Sequence, residues 1–235
     1  MPLTQITTVL FDIGNTLVMI DYRQIVNAAA RQNVHLTVGQ LLASEYAGKR
    51  AIDRQIETRT AGTDETRWSE FFLAILHDLH YPENLLPDLM DELQRLDDIG
   101  FGLWSMKNPD TDSVLNGLYN RDYRLGVISN ADGRVAGLIE SIGIKNYFFT
   151  VIDSHEVGVE KPDPSIFNLA LDMLSIKPSQ AVYVGDLYSV DIIGARSAGI
   201  TPVLFDPLNT YQVNDCLKIA SLKEVLDILP EKPAE

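Results

Sequence analysis

The chain has 235 residues, 46% hydrophobic and 22% charged, enough for one large globular domain or a core with a modest second lobe. A formal net charge of -14 excludes nucleic acid and anionic membrane surfaces as ready partners. The lone cysteine, Cys216, excludes an internal disulfide and a thiolate zinc site and fits a reducing compartment, so a soluble, cytoplasmic protein is expected.

The first apolar run, Ile6–Phe11, is β-branched-rich and not alternating, as in a strand buried on both faces of a parallel sheet, and it ends at Asp12. Asp12 interrupts the N-terminal apolar stretch, and no basic segment precedes it, which is unlike a leader or a membrane span. No second strand pattern is read between Leu17 and Leu125. The interval is helical in pattern instead, with Ile25, Ala28 and Ala29 on one face, then Leu41, Leu42, Glu45 and Tyr46. Phe71, Phe72, Ile75, Leu76 and Leu79 form a further stripe, followed by Leu85, Leu86, Leu89, Met90, Leu93 and Leu96. Gly62, Pro82 and Pro87 punctuate it. Residues 19–99 therefore read as a helical lobe inserted after the first strand, with Gly100-Phe101-Gly102 as the return hinge and 1–18 plus 100–235 as the core.

From there strand and helix alternate: helix Asp112–Tyr119, strand Leu125–Ile128, helix Arg134–Ile142, strand Phe148–Ile152, helix Ser165–Leu174, strand Ala181–Val184, helix Ser189–Ala198 and strand Pro202–Phe205. That order predicts right-handed βαβ units and an α/β fold with a doubly wound parallel sheet. The tail Pro230–Glu235 reads as frayed.

Ligands of such sheets sit outside the carboxyl ends of the strands, so Asp12, Ser129, Asp186 and the loop bearing Lys161 are expected around one crevice. A carboxylate there can attack phosphorus, and a lysine with a Mg²⁺ ion can neutralise the transferred group. Asp12, Asp186 and Asp191 offer the hard oxygen ligands that Mg²⁺ prefers. The alternative for Asp191 and Ser189 is that they cap the helix that follows.

Four segments, in order and each near a strand end, carry a resemblance: Phe11-Asp12-Ile13-Gly14-Asn15-Thr16-Leu17, Val127-Ile128-Ser129-Asn130, Lys161-Pro162-Asp163-Pro164, and Gly185-Asp186 through Asp191-Ile192-Ile193-Gly194-Ala195. The chain resembles the haloacid dehalogenase superfamily over nearly its whole length. The resemblance implies a Rossmann-like core with a helical cap and, in most members, a Mg²⁺-dependent phosphatase acting on small phosphorylated molecules. It implies Asp12 as nucleophile and metal ligand, Lys161 as the group stabilising Asp12, and Ser129 as a phosphoryl-binding hydroxyl. Asn130 is implied to line the pocket and Thr16 to support the first loop. Asp186 is implied as acidic metal ligand, Asp191 as holder of a metal-bound water or completing ligand, and Gly14 as donor of a backbone carbonyl.

Gly14 departs from the family pattern, which has a second aspartate at that position to protonate the leaving oxygen and later activate water. Losing such a group costs about 10²–10⁴-fold. Three readings follow. The first is a phosphatase for substrates with a good leaving group, or one whose acid comes from the substrate or the cap. The second is a haloacid dehalogenase, which the retained pair Asp186 and Asp191 argues against. The third is a phosphate-binding protein without turnover, which has no need of Asp12.

Other residues read more simply. His77 and His80 suit a helix face better than a metal site, and His155 a surface loop beside the crevice. Trp68, Trp104, Phe71, Phe72 and Tyr46 suit the core of the inserted lobe, and Arg23 a salt-bridged surface position.

Overall fold

The computed structural model describes residues 3–58 and 64–231. Gly62 and residues 232–235, read above as a break and as part of the tail, lie outside the described residues. The strands are β1 (Thr8–Phe11), β2 (Val18–Ile20), β3 (Trp104–Lys107), β4 (Arg124–Ser129), β5 (Phe148–Asp153), β6 (Ala181–Gly185), β7 (Thr201–Phe205) and β8 (Leu217–Ile219). The helices are α1 (Tyr22–Arg31), α2 (Val38–Glu57), α3 (Asp64–Asp78), α4 (Leu86–Asp97), α5 (Thr111–Asn120), α6 (Val135–Ser141), α7 (Ser154–Val157), α8 (Pro164–Leu174), α9 (Ile193–Ser197) and α10 (Glu224–Ile228).

The chain divides into two compact units, Met1–Met19 with Lys107–Glu235, and Ile20–Met106. In the first, six strands form one sheet in the order β5-β4-β1-β6-β7-β8, every pair parallel. Counting only these six strands in chain order gives 3-2-1-4-5-6, the doubly wound Rossmann-like arrangement. The strand order reverses at β1, flanked by β4 and β6, and a crevice opens beyond the carboxyl ends at such a reversal. Register fixes its floor: Phe11 lies level with Val127 of β4 and Val184 of β6, so Asp12 leaves the sheet between the ends of both neighbours.

All four residues of β1 and all five of β6 are buried, which is why they read as unbroken apolar runs. Leu10, Ile128, Ile152 and Tyr183 pack with Ile166, Phe167, Ala170 and Leu171 of α8 and with Ala195 of α9. Each fully buried leucine or phenylalanine there contributes about 1.5–3 kcal/mol. Gly194 is required for this packing, since a Cβ there would lie 2.7 Å from the Phe167 ring.

The second unit holds α1 to α4. Thr37 and Gln40 cap α2 reciprocally, and Pro87 stands in the first turn of α4, where it starts the helix rather than breaking it. Phe71, Phe72, Trp68 and Trp104 form an aromatic cluster with ring centroids 4.9–6.2 Å apart. Charge is buried here as well. Glu45 accepts a hydrogen bond from the Tyr22 hydroxyl at 2.8 Å and pairs with Lys49 at 3.0 Å, while Asp53 pairs with Arg50 at 3.6 Å. Leu42, expected on the apolar face, is exposed instead.

Two strands overturn the expectation of none between Leu17 and Leu125. β2 and β3 pair as a separate two-stranded sheet, and within them the chain passes from one unit to the other. The first is three residues long and the second half-exposed, and their pairing bridges a long sequence separation that no local pattern encodes. β8 and α10 near the C-terminus were likewise not expected. Among the described residues, no helix is long and apolar enough to cross a membrane.

Candidate active site

Asp12 follows β1 and donates its backbone N–H to the Val184 carbonyl at 2.9 Å, which continues the β1–β6 ladder by one residue. The next five residues turn tightly, with the Ile13 carbonyl accepting from Leu17 at 3.0 Å and from Val18 at 2.9 Å. Two residues not singled out from the sequence pin this turn. The Asn108 side chain donates to the Thr16 carbonyl and the Thr111 hydroxyl to the Leu17 carbonyl, both at 2.9 Å. Thr16 is fully buried and its own hydroxyl has no partner among the described residues. Gly14 is half-buried and is not among the glycines with positive φ, whereas Asn15 has φ 51°.

Lys161 stands just before α8, and its ammonium lies at the centre of the cluster. Its Nζ donates to Asp12 Oδ1 at 2.7 Å, Asp191 Oδ1 at 2.8 Å and the Tyr183 hydroxyl at 2.8 Å. Both polar atoms of the Asn130 amide are taken by the Lys161 backbone: Nδ2 donates to its carbonyl at 2.9 Å and Oδ1 accepts from its N–H at 2.8 Å. Asn130 thus holds the lysine's loop. Ser129, buried at the end of β4, lies outside this network. Beyond it, Asp153 accepts from the N–H groups of Gly133, Val135 and His155, fixing the segment after Ser129.

Asp186 follows β6, and the chain then makes a π-helical turn, Tyr188–Ile192, before α9. The single helix expected from Ser189 is interrupted here. The turn brings Asp191 back beneath Gly185, where a Cβ would lie 2.4 Å from the Asp191 carboxyl carbon, so only glycine fits. Asp191 Oδ2 accepts from the Leu187 N–H at 2.9 Å. Asp191 therefore bonds inward to the lysine and to its own loop rather than capping α9.

The candidate ligand atoms of Asp12, Asp186 and Asp191 lie within 4.8 Å of one another, and all three residues are buried. Three carboxyl groups against one ammonium leave an excess of negative charge in a dry site. Burial, opposed by Lys161 and joined by Asp191 and Asp186, pushes the Asp12 carboxyl up to about 7. Burial disfavours the Lys161 ammonium, yet Asp12 and Asp191 hold it above the usual lysine range. Burial, with the charges of Asp191 and Asp12, keeps the Tyr183 phenol protonated well above its usual range. A divalent cation is the species such a cluster fits, and the donors present are the hard oxygens that suit it.

The weaker candidates lie elsewhere. His77 is 3.8 Å from Glu83 and joins no cluster of potential ligands among the described residues, nor does His80. His155 is exposed on α7 with its ring near Gly133. Arg23 is exposed and pairs with Asp21 at 2.8 Å.

A doubly wound α/β core with an acidic cluster and a buried lysine at the switch of strand order defines a hydrolase core of one particular type. The description of the haloacid dehalogenase-like hydrolases matches residues 6–199, and the chain belongs to that family. It is 36% identical over 130 residues to a glyceraldehyde 3-phosphate phosphatase of Methanothermobacter thermautotrophicus, covering 50% of this chain and 58% of that protein. The chain spans about half the length of the curated relatives it matches. Among solved structures, the HAD-hydrolase YfnB of Bacillus subtilis, bound to magnesium, has the same fold with TM-score 0.68 at 20% identity, over 95% of this chain and 98% of that one. A 2-haloacid dehalogenase of Pseudomonas syringae is 25% identical with TM-score 0.55, over 95% of this chain and 98% of that one.

Proposed function

We propose that the protein is a Mg²⁺-dependent phosphatase for a small phosphorylated molecule, working through an aspartyl-phosphate on Asp12. The observation that carries this reading is the cluster of three buried carboxyls held against a single lysine, since a dehalogenase needs no cation and a binding protein no nucleophile. The name of the M. thermautotrophicus relative supports the substrate class.

Asp12 and Asp186 are the direct metal ligands in this reading, with the Gly14 carbonyl beside them. Asp191, whose oxygens already bond to Lys161 and Leu187, takes the outer place. The cation, when bound, keeps Asp12 ionised and neutralises charge on the phosphoryl oxygens. Lys161 fixes the Asp12 carboxylate and adds a second positive charge, and Ser129 donates a hydrogen bond to the phosphoryl group. The Asp12 carboxylate attacks phosphorus, the ester P–O bond breaks, and the leaving oxygen takes its proton from water or from its own acid. Gly14 has no proton to give, so substrates with good leaving groups are favoured. Water then attacks phosphorus as the P–O bond to Asp12 breaks, inorganic phosphate leaves, and the water's proton passes to the phosphate or to solvent. The unit Ile20–Met106 acts as the cap that selects the substrate.

The test is release of phosphate from an aryl phosphate, an acyl phosphate and triose and sugar phosphates, with and without Mg²⁺, beside halide release from 2-chloropropionate. Mg²⁺-dependent phosphate release is expected. Halide release indifferent to Mg²⁺ would replace the reading with a dehalogenase, and inactivity on all substrates with a binding protein.

A second expectation concerns pH. Asp12 has a carboxyl raised from 3.8 to about 7 in the metal-free protein, so the folded state holds a proton that the unfolded state has lost across that interval. The metal-free protein therefore loses stability as pH rises from about 4 to 7. A cation must displace that proton, so affinity weakens about tenfold per pH unit below 7. Calorimetry of Mg²⁺ binding in buffers of different ionisation enthalpy should find clearly more proton release at pH 6 than at pH 8. Equal release at both would contradict the raised Asp12 carboxyl.

A further inference from the structure

Tyr183 lies in the middle of β6, fully buried, with its ring edge-to-face on Phe167 at 5.0 Å between centroids. Packing accounts for the ring and not for the hydroxyl. A phenylalanine would fill the same space, and a buried hydroxyl is costly unless it is paired. Here the hydroxyl has three polar neighbours: Lys161 Nζ at 2.8 Å, the Ile128 carbonyl at 3.0 Å and Asp191 Oδ1 at 3.1 Å.

The hydrogens can be assigned one by one. The ammonium has three, and they go to Asp12, Asp191 and the Tyr183 oxygen. The phenol has one, and it goes to the Ile128 carbonyl, with Asp191 Oδ1 as the alternative acceptor. Every donor of the lysine is then fixed in direction, and the ammonium has no spare hydrogen with which to leave Asp12. Ile128 immediately precedes Ser129, so the same hydroxyl ties the strand end carrying Ser129 to the lysine.

We infer that Tyr183 is a positioning residue of the site: its hydroxyl takes the third Lys161 hydrogen, anchors on the Ile128 carbonyl, and so keeps the lysine aimed at Asp12. The inference rests on the reading of Asp12 as nucleophile. Without the hydroxyl the ring still fills its place. One lysine hydrogen loses its acceptor in a dry interior, and the ammonium is free to swing toward Asp191. The hydroxyl itself touches no substrate group, and Ser129 stays held in the β4–β5 ladder, so the loss falls on turnover and not on substrate binding.

The experiment compares Tyr183→Phe, Asp12→Asn and Phe167→Leu with the wild-type protein. Tyr183→Phe is expected to lower kcat on an aryl phosphate by about 10–100-fold, with KM and the Mg²⁺ half-saturation within about twofold. Phe167→Leu disturbs the same packing without the hydroxyl and is expected to lower Tm while keeping kcat. A second readout needs neither metal nor turnover. The lysine-ammonium ¹H–¹⁵N correlation spectrum of the metal-free protein should contain a slowly exchanging Lys161 signal, identified by its loss in Lys161→Met, that shifts or broadens in Tyr183→Phe. An unchanged kcat or an unchanged Lys161 signal in Tyr183→Phe overturns the inference, as does an equal loss of kcat in Phe167→Leu. An active Asp12→Asn protein would overturn the nucleophile reading instead, and the spectrum would still decide whether Tyr183 holds the lysine.

Discussion

Asp12→Asn is expected to abolish hydrolysis, lowering kcat by at least about 10⁴-fold, because an amide in place of the proposed nucleophile cannot form the acyl-phosphate bond. The protein is expected to stay folded. Asparagine matches aspartate in shape, and Lys161 keeps Asp191 and Tyr183 as acceptors. The charge balance goes further. Three carboxyls face one ammonium, and burial already favours the neutral form of Asp12 up to about 7. Removing that charge relieves repulsion from Asp186 and Asp191, so at pH 8 the metal-free variant should melt no lower than the wild type. The stabilisation that Mg²⁺ gives the wild type should be lost with it. Steady-state kinetics and melting curves with and without Mg²⁺ check all three, and a variant that still turns over removes Asp12 from the mechanism.

Gly14→Asp is the opposite experiment, a gain. An aspartate two residues after the proposed nucleophile can protonate a leaving alkoxide and then activate water, effects together worth about 10²–10⁴-fold. Gly14 is half-buried and is not among the positive-φ glycines, so its backbone conformation does not itself demand glycine; the left-handed conformation falls on Asn15 instead. The gain should appear with alkyl phosphates, whose leaving groups need a proton, and be small with aryl phosphates. The ratio of kcat/KM for the two classes is the measurement. A folded variant with an unchanged ratio would mean that the acid is already supplied from elsewhere.

The core strands were legible because each is buried on both faces, which forces short, continuous, β-branched runs. Asp12 and Asp186 were legible because each stands where such a run stops, and Asp191 because it follows Asp186 within one turn. β2 and β3 were not legible, being short or half-exposed, with a pairing set by residues far apart in the chain. The π-helical turn escaped notice because its cause is a contact, Asp191 folding under Gly185, and no residue pattern marks it. Asn130 illustrates the same limit. The resemblance implied a pocket-lining residue there, and no sequence pattern marked that both amide atoms bond to the Lys161 backbone. Glu45, read on one face with Leu41 and Leu42, is buried, and so are Lys49 and Asp53, which no sequence pattern singled out.

The sequence by itself determined the α/β class, the core strands along the chain and the identity of the carboxylates and the lysine that follow them. Burial of a strand and the chemistry of a side chain are properties of local sequence. Only the tertiary structure decided how that chemistry is balanced: three carboxyls on one ammonium, a phenol as its third acceptor, and an asparagine and an aspartate pinning the loops. These are contacts between distant segments, and their strength depends on a dry interior that exists only once the chain has folded.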